Sequence, residues 1–273
     1  MVWSNLRSVG AVAGRSEREQ GEGGALQPKW SAIFNDPQYG GDRSYGLGWD
    51  AHPNAKVVVF ALPKSGNVWL VALLSDYFGV PSINIFNDSD KQGVGMTHFA
   101  FSDEIRSRGD IIHGACLVRD IRDVISSFYH YSQTERFRSA RRDFQYTDIE
   151  AFYYDWFLPI VVPQYRVHFF SAEYAELCVP VIRYERLYDD PVSELRKLIL
   201  RWGLQFDELR AKEVISMNSI ERLKENGKAL DIYVDKSHFR KGGYGDYKQT
   251  LPQHIIDDVS KRFSELQKRW GYE

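Results

Sequence analysis

The sequence predicts an α/β fold: a P-loop-like, three-layer α/β/α arrangement with a central parallel sheet flanked by helices. Three observations predict it. Short continuous apolar runs alternate with segments of helical spacing, which is the pattern of a parallel sheet covered on both faces. The first run, "KVVVFAL" at 56–62, passes through Pro63-Lys64-Ser65-Gly66 into a helix, as a phosphate-binding strand-loop-helix does. The later strands end at Arg119 and at Tyr184-Glu185, on the sheet edge where such folds bind ligands.

Taken in order, residues 1 to about 28 are rich in Gly, Ser, Arg and Glu without periodicity, so residues 1–50 are expected to be a flexible or irregular N-terminal segment. The aromatics Trp30, Phe34, Tyr39, Tyr45 and Trp49, set among Gly, Asp and Pro, suggest that its second half packs irregularly on the main body. One domain is expected over 51–273. After the first strand, Trp69, Leu70, Leu73, Leu74 and Tyr77 recur at helical spacing and Gly79 closes the helix. "DIIHGACLV", about 110 to 118, reads as a second strand and "IRDVISSFYHYSQ" as the helix after it. "VPVIRY", 179 to 184, reads as a third strand. The helix that follows has Pro191 in its first turn and Gly203 at its end. Residues 144–170 are dense in aromatics. One or two buried helices interrupted by proline is the structural reading, and an apolar substrate wall is the functional one.

The composition is that of an ordinary globular chain: 273 residues, 43% hydrophobic, 26% charged, with a formal net charge of -2. Nothing in it calls for nucleic-acid binding. No apolar run reaches the ~18 residues of a membrane span. The N-terminus lacks a sustained apolar stretch, so a soluble, cytoplasmic protein is expected. Cys116 and Cys178 form no zinc or disulfide pattern. The basic cluster Arg136, Arg138, Arg141 and Arg142 reads first as a solvated face.

The loops carry the chemistry. A helix start offers free N–H groups and a positive dipole end to an anion. Lys64 adds a charge, Ser65 a hydroxyl, and Gly66 a close backbone approach. The Gly-Lys-Ser/Thr ending that holds magnesium on a triphosphate is absent, so no metal site is expected and an ATP-dependent kinase is disfavoured. Arg119 and Ser127, two helical turns apart, could grip a second phosphate together, unless Arg119 pairs locally with Asp120 or Asp123.

These residues resemble the sulfotransferases that use 3′-phosphoadenosine 5′-phosphosulfate (PAPS), of the cytosolic, small-molecule type. That family's P-K-S-G-T-T-W loop, P-K-S-G-N-T-W in many bacterial members, is matched by Pro63-Lys64-Ser65-Gly66-Asn67-Val68-Trp69. Its V-R-N/D-P-R-D-V-x-x-S-x-Y-H motif is matched from Val118 to His130, with Ile121 in place of Pro. Tyr184 to Pro191 resembles Y-E-D-L-x-x-D-P, and Arg240 to Lys248 resembles R-K-G-x-x-G-D-W-K. The resemblance implies that Lys64, Ser65, Gly66, Asn67, Val68 and Trp69 hold the 5′-phosphosulfate, with Trp69 stacking on adenine. It implies that Arg119, Ser127, Arg240, Lys241 and Gly242 bind the 3′-phosphate. Tyr184 and Ser219 would lie on the adenine side.

The implied reaction is in-line transfer of a sulfuryl group to a hydroxyl or amine of a small acceptor, aromatic or apolar. The family's base lies in K-T-H, which points to Thr97-His98 among seven histidines. His113, inside an apolar strand, and His130, in the helix motif, read as structural. Lys64 would also neutralise charge on the leaving oxygen. Two departures stand out: Val68 replaces a Thr, and Met96 replaces a Lys. They keep open the alternative of a catalytically impaired protein that binds PAPS or adenosine bisphosphate. The family's dimer motif is not intact in "KQTLPQHIIDD", which leaves monomer and homodimer both open.

Overall fold

The computed structural model describes residues 54–98, 108–170, 179–226 and 240–272. The expectations for residues 1–50, and for Cys178, lie outside the described residues.

A five-stranded, all-parallel sheet forms the centre, in the order β2-β3-β1-β4-β5. Strand β1 (Lys56–Ala61) is buried along its whole length. Its side chains alternate between faces. Val57, Val59 and Ala61 pack with helix α1 (Asn67–Phe78), while Val58 and Phe60 join Ile85, Ile111 and Cys116 on the other side. β-Branched residues with apolar neighbours on both faces suit a central strand. The two flanking pairings run Lys56↔Gly93 to Phe60↔Thr97 with β3 (Gly93–Thr97), and as far as Ala61↔Leu117 with β4 (Ile111–Val118).

Two strands escape the sequence reading. β2 (Ser82–Ile83) is two residues long, and β3, "GVGMT", contains two glycines. Neither makes a β-branched run, so their conformation comes from tertiary pairing. The third expected strand is also shorter than its sequence suggests. β5 is Val181–Arg183, and Tyr184 already opens a helix, Tyr184–Asp189.

Helix α2 (Ile121–Ser132) follows β4 directly, capped by the Asp120 carboxylate on Arg122 N. Pro191 begins Pro191–Arg201, where its missing N–H costs nothing. Residues 149–164 form one helix through Pro159 rather than two pieces. Its middle, Phe152–Val161, is wound as a π-helix. In an α-helix the Pro159 ring would clash with the carbonyl four residues back. The wider winding moves that carbonyl aside. Phe152, Tyr153, Trp156 and Phe157 are buried against α2 and the C-terminal helices, whereas Tyr154 and Ile160 face outward. The structural reading of this segment therefore accounts for its buried rings.

Candidate active site

The loop after β1 is tightly wound. Ser65 N donates to Leu62 O at 3.2 Å, Lys64 has φ 71° and Gly66 has φ 95°. A Cβ at Gly66 would sit 2.4 Å from the Tyr184 ring, so this position is restricted to glycine by both space and backbone. No side chain caps the start of α1. Its first N–H groups and dipole therefore point at the cavity edge.

Arg119 ties the loops together. Its two terminal nitrogens donate to Lys64 O (3.1 Å) and to Gly243 O (3.0 Å), and its guanidinium lies over the Tyr184 ring at 4.3 Å. The local pairing with Asp120 does not form: Arg122 takes that carboxylate. Arg119 Nε is buried with no hydrogen-bond partner among the described residues, a donor left for a ligand. Tyr184 Oη accepts from Gly243 N. The Asp123 carboxylate accepts from Gly245 N (2.6 Å) and Tyr247 N (3.1 Å), fixing the far side of the 240–247 loop.

These segments enclose a cavity of about 550 Å³. Lys64, Gly66, Asn67, Val68, Trp69, His98, Arg119, Ser127, Tyr184, Arg240, Lys241 and Gly242 all line it. Two expected residues do not. Ser65 is buried off the wall, and Ser219 turns its hydroxyl to Arg222 N at a helix start, leaving Ile220 on the wall. Both placements come from local backbone geometry that a motif string does not carry. Trp69 is anchored by its indole N–H on Asn218 O (3.0 Å) and meets Tyr184 edge-on. The cavity also contains residues that the sequence reading left out of the site: Asp123, His130, Tyr131, Tyr244 and Asp246. The acidic pair could have been found as the fixed acids inside the two phosphate motifs.

Lys64 Nζ lies 4.2 Å above the Tyr131 ring, a cation–π contact. One of the two sequence departures touches the loop nearby. Asn67 Nδ2 contacts Met96 Sδ at 2.7 Å, so the residue standing in for a lysine buttresses the loop instead. His98 Nδ1–H donates to Ala61 O at 2.9 Å. A carbonyl can only accept, so Nε2 carries the lone pair. Burial lowers the His98 pKa, the Ala61 bond opposes this, and the Lys64 charge lowers it further. His168 Nε2 donates to His98 O at 2.6 Å, and burial pushes His168 down to about 4. His113 is stacked on Trp202 and burial pushes it down to about 3, which fits a structural histidine. His130, by contrast, lines the cavity against Thr250 and Asp246. Among the described residues no cluster fit for a metal ion occurs, and no helix is long and apolar enough to cross a membrane.

An anion cradle at parallel strand ends, with a neutral histidine beside a lysine, defines a group-transfer site for a phosphate-bearing donor. The comparisons with known proteins agree on the class. Residues 97–271 match the sulfotransferase domain model, well over half of the chain, and the protein belongs to that family. The match begins after the Lys64 loop. Cytosolic sulfotransferase 3 of Arabidopsis thaliana is 23% identical over 78% of this chain and 75% of its own length. Human sulfotransferase 1C2 is 31% identical over 32% of this chain and 30% of its own. Among solved structures, mouse sulfotransferase SULT7A1 complexed with PAP (adenosine 3′,5′-bisphosphate) superposes with a TM-score of 0.60 at 18% identity, covering 82% of this chain and 89% of that one. Retinol dehydratase in complex with androsterone and PAP gives 0.53 at 12% identity, with 80% and 81% covered. These superpositions establish the shared α/β fold.

Proposed function

We propose that this sulfotransferase takes its sulfuryl group from PAPS and passes it to a hydroxyl or amine of a small, apolar or aromatic acceptor. The observation that carries the proposal is the convergence on one cavity of an uncapped helix start, Lys64, Arg119, Ser127, Arg240, Lys241 and His98. The fit to PAPS is supported by the buried, unpartnered Arg119 Nε. PAP in the related structures supports the same donor.

In this reading the helix start and Lys64 hold the 5′-phosphosulfate. Arg119, Ser127, Arg240, Lys241 and Gly242 hold the 3′-phosphate, and Trp69 and Tyr184 face the adenine. The acceptor O–H gives its proton to His98 Nε2 as its oxygen bonds to sulfur. The bond from sulfur to the 5′-phosphate oxygen breaks, its electron pair leaves with PAP, and Lys64 neutralises that oxygen. His98 suits a base because the Ala61 bond fixes its tautomer. The cavity wall also carries Pro63, Met96, Phe128 and Tyr131, which favours a flat or apolar acceptor. Retinol and androsterone in the retinol dehydratase complexes are ligands of that kind.

Sulfur-labelled PAPS, incubated with a panel of phenols, alcohols and amines, tests the proposal. Labelled product with the intact protein and at least ~100-fold less with His98→Ala is expected, in line with general-base contributions. Full transfer by the variant removes His98 from the mechanism. No transfer to any acceptor, together with tight PAP binding, would favour the nucleotide-binding alternative that Val68 and Met96 keep open.

A further inference from the structure

Asp246 sits among the cations of the proposed 3′-phosphate subsite. Its carboxylate accepts from the Arg240 guanidinium and, at 2.7 Å, from Lys241 Nζ. Ser126 Oγ and Thr250 Oγ1 lie at 3.3 Å each, and His130 Nε2 lies 3.9 Å away. Two cations, two hydroxyls and an imidazole around one anion form the setting of a bound phosphate. Burial raises the Asp246 pKa, but Lys241 and Arg240 outweigh it and hold the carboxyl well below the usual range. The backbone on either side is pinned to Asp123 through Gly245 N and Tyr247 N. Release of the two cations therefore requires only side-chain motion.

We propose that Asp246 is an internal counter-anion of the 3′-phosphate subsite. It holds Arg240 and Lys241 in the nucleotide-free protein and yields them to the phosphate when the nucleotide arrives. This rests on the donor reading above. The exchange replaces a carboxylate of charge -1 by a phosphate of charge about -1.5 to -2. A nucleotide with a bare 3′-hydroxyl cannot drive it. When PAP leaves, the carboxylate reclaims the cations.

Calorimetry on the full chain tests this with two probes, PAP and adenosine 5′-monophosphate. Asp246→Asn, nearly isosteric, should bind PAP about 5- to 30-fold more tightly, the factor that one to two kcal/mol makes. Its affinity for the monophosphate should stay within about twofold, since that probe does not reach the pair. PAP affinity should also fall more steeply with salt in the variant. Asp246→Ser, expected to behave likewise, covers the case in which the Asn variant does not fold. A folded variant that binds PAP no more tightly than the parent overturns the role of Asp246 alone. If the parent protein does not bind PAP, the donor reading fails and this inference fails with it.

Discussion

At the scale of single residues, His98 combines a fixed tautomer with a lowered pKa. Burial is the largest cause, and the Lys64 charge adds to it. The proposed base must be neutral to work, so activity is expected to persist as pH falls until His98 itself protonates. The acid limb of kcat/KM is therefore expected below about 6.5, the ordinary histidine value. Removing the Lys64 charge with Lys64→Met should move that limb upward, whatever it does to the plateau. A pH-rate profile of both proteins checks this. A limb that stays fixed in the variant would mean that Lys64 does not act on His98. His98 could be selected from the sequence only through the Thr-His motif. Its Ala61 partner lies 37 residues away, and no spacing rule predicts that bond.

Among the elements, the β1 loop and α1 were the most legible, because a buried apolar run, a turn and a periodic helix follow one another within residues 56–79. β3 was illegible because its glycines suit the crowded side next to β2 and give no strand signal of their own. The loop also hides a strained residue. Lys64 is the only non-glycine at positive φ among the described residues, and a side chain there costs about 1–2 kcal/mol. The ammonium and the strain can be separated. Lys64→Ala and Lys64→Gly both remove the charge and the contact with Tyr131, so both should lose most transfer activity. Glycine tolerates the left-handed conformation and alanine does not. The Gly variant should therefore be more stable than the Ala variant by about 1 kcal/mol, after allowing for the greater freedom of glycine in the unfolded chain. Urea unfolding of the two variants measures the difference. Equal stabilities would mean that the loop relaxes when the lysine is lost.

Over the whole molecule, the site draws on segments from Lys64 to Asp246. The motifs announced which segments meet, but not what braces them. Part of the brace is the C-terminal end of the chain, which no motif marked. Tyr272 Oη donates to the Glu185 carboxylate at 2.6 Å, and the other oxygen of Glu185 accepts from Asp120 N at 3.1 Å. Arg122 donates to Tyr272 O, and the Arg183 guanidinium lies over the Tyr272 ring at 4.3 Å. The last residues thus join the ends of β4 and β5, next to Arg119 and Tyr184. Burial and the nearby Glu185 charge push the Tyr272 hydroxyl up, so it remains a donor across the working range. Tyr272→Phe keeps the ring but removes a hydrogen bond to a buried carboxylate. It should cost about 1.5–3 kcal/mol of unfolding free energy. PAP affinity should fall much less, because Asp120 N still holds the other Glu185 oxygen and leaves Arg119 in place. Denaturant titration and calorimetry on the same variant separate the two effects. Unchanged stability would show that the end of the chain is not a brace. A loss of PAP affinity as large as the loss of stability would place Tyr272 in the nucleotide site itself.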